Sequence, residues 1–130
     1  MYRAAIDNGH NSISSTDMNW ILASSGTVKW ASLNSSDTSI AGGAESGSCL
    51  DDWAFEWANV YINFSHFNAI AHTADQLQCT AVHEAGHVSG LNHRLSSDVS
   101  IMNISHNTRC HSFVIKVVQP SDVTDFNHMY

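Results

Sequence analysis

The strongest constraint on this chain lies in eleven residues, His83-Glu84-Ala85-Gly86-His87-Val88-Ser89-Gly90-Leu91-Asn92-His93, which fix three imidazoles, a carboxylate and two glycines at set intervals. Upstream, Thr73 and Gln76 form a capping-box pair, and no Pro or Gly falls between Ala74 and Ala85, so a helix is predicted from about Ala74 to Ser89. At about 100° per residue, His83 and His87 lie roughly 40° apart on one face, while Ala74, Leu77, Ala81, Ala85 and Val88 gather on the other. His93 cannot join the two rings if the helix simply continues. Gly90 tolerates positive φ, so it is placed to end the helix and swing Leu91 to His93 back beneath them.

Three neutral imidazoles with one position left open are the ligand pattern of a catalytic zinc ion, whereas structural zinc usually has four protein ligands, often including Cys. His83, His87 and His93 are therefore the candidate ligands of one catalytic Zn2+. Zinc lowers the pKa of water in the open position from near 16 towards about 7. Glu84, next to His83 in sequence, projects beside the metal and is the candidate general base for that water. The expected chemistry is hydrolysis of a peptide bond. A chance His-Glu-x-x-His string on ordinary histidines is the bland alternative. Gly90, His93, the capped helix and a downstream Met102 weigh against it.

With 130 residues the chain suffices for one hydrophobic core, so residues 1–130 are read as a single domain. Its formal charge is −7 and no basic stripe runs along it, which argues against nucleic acid and anionic membrane surfaces as partners. No apolar run approaches the roughly 20 residues of a membrane span, and the N-terminus lacks the regions of a signal peptide. Abundant Ser and Asn, with three Cys, lean towards a secreted, extracellular monomer.

Along the chain, residues 3–16 carry Ile6, His10 and Ile13 at helical spacing, and strands are predicted from Trp20 to Ala23 and from Thr27 to Leu33. Asn34 to Ser48 is rich in Ser, Gly and Ala and reads as a long loop. Ala58 to Phe64 has the β-branched and aromatic content of a strand. Pro120, followed by Val123, Phe126 and Tyr130, predicts a short closing helix.

The segment from His83 to His93, with Ser100-Ile101-Met102-Asn103 downstream, resembles the metzincin clan of zinc peptidases, whose signature is His-Glu-x-x-His-x-x-Gly-x-x-His followed by a Met-turn. Within it, Gly86, Gly90, Leu91 and the short spacing to Met102 look most like the matrixins and their small bacterial relatives. The resemblance implies an α/β (α+β) zincin domain: a small twisted mixed sheet with a packing helix, a central zinc helix, the Met-turn and a C-terminal helix. An upper part would span residues 1–89 and a lower part 90–130. It implies protein or peptide substrates, Met102 as an apolar floor under the three rings, and Trp57 to Asn63 as an edge strand above the cleft. Val60 to Asn63 would then take the substrate backbone by strand addition. The chain departs from the pattern at Arg94, which follows the third ligand and matches no family marker, and in having no Tyr between the Met-turn and the C-terminal Tyr130. A cysteine-switch propeptide and a His-x-Asp structural-zinc loop are also missing.

The remaining candidates are weaker. His66 and His72 bracket an apolar stretch without a carboxylate at ligand spacing, so the sequence supports no second zinc there. His10, His106, His111 and His128 are scattered and read as surface or hydrogen-bonded residues. Asp51 and Asp52 read as a solvated loop, without support for structural Ca2+. Cys79 lies one helical turn before His83, and a bridge to Cys110 is favoured, with Cys49 as the alternative partner for either. The sequence thus predicts a zinc-dependent endopeptidase. A catalytically silent zinc-binding domain of the same fold and a zinc hydrolase of non-peptide substrates are the rivals.

Overall fold

The computed structural model describes residues 28–33, 35–47, 57–69 and 72–129. The expected helix at 3–16, the strand at 20–23, His10, Cys49, Asp51 and Asp52 lie outside the described residues.

Strand β3 (Ala58–Asn63) forms the centre of a three-stranded mixed sheet in the order β1-β3-β2. Its Ala58, Val60 and Ile62 are buried while Asn59 and Tyr61 are half-buried, the alternation of a pleated strand. Strand β1 (Val28–Leu33) runs parallel to it, with Val28 opposite Ala58 and Leu33 opposite Asn63. Strand β2 (Gly42–Ser46) pairs antiparallel on the other side, with Gly42 opposite Ile62 and Ser46 opposite Ala58.

Two expectations change here. The stretch from Asn34 to Ser48 is not one loop, because it contains β2. Its strand signal is hidden by small residues that the packing requires: a Cβ on Gly42 would lie 2.8 Å from the Tyr61 carbonyl oxygen, 3.1 Å from Thr80 Cγ2 and 3.2 Å from Glu84 Cγ. In consequence β3 is central, not an edge strand, and its backbone groups from Val60 to Asn63 are already paired on both sides. Within the described sheet the edges belong to β1 and β2.

A six-residue helix that the sequence did not signal, α1 (Phe64–Ala69), follows β3 directly. Helix α2 (Ala74–Val88) begins as predicted: Thr73 Oγ1 accepts from Gln76 N at 3.2 Å, and Gln76 Oε1 accepts from Thr73 N at 2.8 Å. It ends at Gly90, whose φ is 86°. Leu91 N donates to Gly86 O at 3.0 Å and Gly90 N to His87 O at 3.0 Å, the paired bonds of a Schellman motif.

Every residue from Leu77 to Gly86 is buried. One side of α2 meets the sheet, Leu77 and Ala81 with Ile62, and Val88 with Ala58 and Val60. On the other side, Cys79 and Val82 pack with Leu91, Ile101, Met102, Cys110, Ile115 and Phe126. A helix buried all round is the central layer of the fold, and its polar residues must therefore find partners inside.

Beyond α2, a π-helical segment spans Asn107–Ser112 and α3 spans Pro120–Met129. Pro120 opens α3, as its fixed φ favours. No described helix is long and apolar enough to cross a membrane. The favoured bridge is formed: Cys79 and Cys110, both fully buried, are disulfide-bonded with Cα atoms 5.6 Å apart, tying α2 to the π-helix.

Candidate metal centre

His83 and His87 leave α2 on one face, and the turn at Gly90 returns His93 to them. The Nε2 atoms of His87 and His93 are 3.0 Å apart, and those of His93 and His83 are 3.3 Å apart. Among the described residues this is the one group of three whose ligand atoms all lie within 4.8 Å. A tetrahedral ion bonded to imidazole nitrogens at about 2.05 Å separates them by about 3.3 Å, so the spacing fits a single metal ion.

The tautomers fit as well. His83 Nδ1 lies 2.7 Å from Ile101 O and His87 Nδ1 lies 2.9 Å from Leu91 O. Both carbonyls can only accept, so both rings carry the proton on Nδ1 and offer a lone pair at Nε2. Burial holds His83 well below the ordinary histidine range, and the Arg109 guanidinium pushes it further down. Burial also lowers His87 and His93. The three rings are neutral at neutral pH, the form that binds a cation.

Glu84 is buried beside His83, and burial raises its carboxyl to about 7 against the pull of Arg109. Arg109 is the site residue that the sequence gave no reason to choose. It comes from the π-helix, is 3% exposed, donates from Nη1 to Asn103 O, and places Nη1 3.4 Å from His83 Nε2. Its Nε is buried without a partner among the described residues. Burial lowers its pKa to about 10, which leaves it charged at neutral pH. No spacing rule links it to His83, because only the folding of residues 103–110 against α2 brings the two together.

Met102 is 1% exposed. A Cβ on Gly86 would overlap Met102 Sδ, which gives the glycine inside the histidine motif a steric reason. Asp122 of α3 holds the turn that carries Met102. Its carboxylate accepts from the Ser100 hydroxyl, from Ile101 N at 3.0 Å and from Gln119 N at 2.8 Å. Arg94, the departure after the third histidine, pairs with Asp125 through Nε at 2.7 Å and Nη2 at 2.9 Å. That bidentate contact pins the His93 segment to α3. Its backbone N donates to Met102 O at 2.8 Å, so the same residue joins the two segments beneath the site.

The other sequence candidates divide. His128 is exposed on α3. His106 and His111, read as scattered, are brought beside His66 and His72. No protein-family model and no curated protein matches the chain.

Proposed function

We propose that this chain is a zinc-dependent endopeptidase of the metzincin kind, acting on protein or peptide substrates in an extracellular setting. The observation that carries the reading is the convergence of three Nε2 atoms, 3.0 and 3.3 Å apart, beside the buried carboxylate of Glu84. His83, His87 and His93 would hold the ion. Zinc there supplies Lewis-acid polarisation of a carbonyl oxygen and acidifies water.

Glu84 accepts a proton from the attacking water and passes it to the leaving amine, so the amide C–N bond breaks as the new C–O bond forms. A buried carboxylate next to the first histidine in sequence is placed for both transfers. Arg109 adds a fixed positive charge where the peptide oxygen becomes negative, the role for which the sequence offered no Tyr. An extended peptide would pair with the outer edge of β2, the strand that presses Gly42 against Glu84. Exposed Ile104 and Phe113, flanking Arg109 in sequence, offer apolar surface to a substrate side chain. The Cys79–Cys110 bridge supports an oxidising compartment.

The test compares hydrolysis of unfolded casein by the wild type and Glu84→Gln, with zinc content measured for both. Zinc in both and cleavage by the wild type alone is the expected result. Zinc in both with cleavage by neither favours a silent binding domain, and cleavage of non-peptide esters alone favours the other hydrolase reading. A folded wild type that takes up no zinc overturns the proposal.

A further inference from the structure

A second group of imidazoles is formed by His66, His72, His106 and His111. His66 on α1 and His72 just before α2 stack at 4.8 Å between ring centroids with 17° between planes. His106 stands edge-on to both, at 5.2 and 6.2 Å. His111 is 5.4 Å from His72 and 5.4 Å from His106. For comparison, the centroids of His83, His87 and His93 are 4.5 to 5.2 Å apart. The second group is slightly wider and its nitrogens do not meet the 4.8 Å spacing of the first, so ring rotation must close it.

The hydrogen bonds say which nitrogens are free. His66 Nδ1 lies 2.6 Å from the Thr38 carbonyl oxygen, an acceptor, so it carries the proton. His72 Nδ1 faces Gln76 Oε1 at 3.4 Å. The Gln76 amide is oriented by the capping box, since its Oε1 accepts from Thr73 N, so His72 Nδ1 also bears the proton. Both Nε2 atoms are then lone pairs, and both are buried without a hydrogen-bond partner among the described residues. An orphaned buried acceptor costs about 1–3 kcal/mol. Two of them on stacked rings, with two further imidazoles alongside, are lone-pair donors that a cation would satisfy. The backbone carbonyl behind His66 is the outer-shell partner that ligating histidines usually have.

Thr80 Oγ1 donates to Gln76 O at 3.3 Å, so His106 Nε2, 3.2 Å from Thr80 Oγ1, is a donor and leaves Nδ1 as its ligand atom. His111 Nδ1 accepts from Gln76 Nε2 at 2.9 Å and must release that bond to coordinate. His111 is exposed and has the freedom to do so.

We infer that His66, His72 and His106, with His111 closing from the surface, form a second metal site for an imidazole-preferring divalent ion, zinc foremost. With four nitrogen ligands the ion is structural and needs no open position. It would join α1 and the start of α2 to the π-helix that carries Arg109, beside the covalent link at Cys110. The site stands independently of the function proposed above.

The test is a zinc titration of wild-type protein with 15N-labelled histidine, followed by NMR of the ring nitrogens. The first equivalent should shift His83, His87 and His93. The second should shift His66 and His72 Nε2, and zinc analysis should reach two ions per chain. The variant with His87→Gln and His93→Gln should still bind one ion, and adding His66→Gln to it should abolish binding. Saturation of the folded wild type at one ion, with the His66 and His72 signals unmoved, overturns the inference, whatever the variants do.

Discussion

Removing the Asp122 carboxylate should loosen the whole lower half of the metal centre. The side chain is fully buried and accepts from two backbone amides, Ile101 N and Gln119 N, and from the Ser100 hydroxyl. In Asp122→Ala both amides lose their acceptor inside the protein, at about 1–3 kcal/mol each, and a small cavity adds to this. The expected loss is about 3–5 kcal/mol, a large part of the roughly 5–15 kcal/mol that holds a domain together. Asp122→Asn separates charge from connectivity. Its carbonyl oxygen can accept from both amides while its NH2 donates to Ser100 Oγ, which already accepts from Met102 N at 2.9 Å. The two amide contacts survive, but the Ser100 hydroxyl hydrogen loses its acceptor and the charge assistance goes, a loss of about 1–3 kcal/mol. Equilibrium unfolding in guanidinium chloride should rank wild type above Asn above Ala with an unchanged m-value. Because Ile101 O orients His83, zinc affinity of the Ala variant should also fall about tenfold. An Ala variant within about 0.5 kcal/mol of wild type, or an Asn variant as damaged as Ala, would refute this account.

Gly86→Ala gains about 0.5–1 kcal/mol of helix propensity but must displace Met102, at about 1–3 kcal/mol, so its melting temperature should fall. Combining it with Met102→Ala should cost less than the two losses added, and additive losses would show that the two do not touch. Replacing Cys79 and Cys110 together by Ala opens a loop with a sequence separation of 31 and should cost about 3.5 kcal/mol, read by chemical denaturation. An unchanged midpoint would count against that bridge. The Arg94 hydrogen bonds hold the Asp125 carboxyl below its ordinary range. Its stabilisation is therefore present above the unfolded carboxylate pKa of about 4 and is lost as pH falls through the lowered folded value. The pair is partly exposed, so Asp125→Asn should cost about 0.5–1 kcal/mol at neutral pH, shrinking in acid. A cost independent of pH would mean that the contact works through packing alone.

What the sequence revealed of this molecule divides by how far the geometry reaches along the chain. The cap at Thr73, the helix behind it, the turn at Gly90 and the convergence of His83, His87 and His93 are all carried by one continuous segment, where helical spacing fixes the angles. Strand β2 escaped because its place against α2 demands glycine at position 42, a residue that otherwise marks a loop. Arg109, Asp122 and the partnership of His66 and His72 with His106 escaped for a different reason. Each depends on segments distant in sequence coming together, and no local pattern encodes such a meeting. The histidines show the distinction within one residue type. Three that share a helix and its exit turn were legible as a metal-binding group, while His106 and His111 read as scattered and His66 and His72 as a pair without a carboxylate.

That division also locates the residues on which the site depends most. The histidine face is specified locally, but its rings are oriented by carbonyls of Ile101 and Leu91, and the Glu84 carboxylate beside it feels the charge of Arg109 from the π-helix. Ile101 is held by Asp122, the His93 segment by Asp125 through Arg94, and the π-helix by Cys79. Each tie runs from the histidine-bearing region to a later part of the chain. A peptide covering α2 and the turn to His93 would carry His83, His87, His93 and Glu84 and keep the Leu91 carbonyl, yet lack Ile101, Arg109 and the ties to later segments. It should bind zinc far more weakly than the whole chain, by at least the roughly 10–100-fold that loss of outer-shell partners costs. Equal affinity for peptide and protein would show that the later segments merely cover the site.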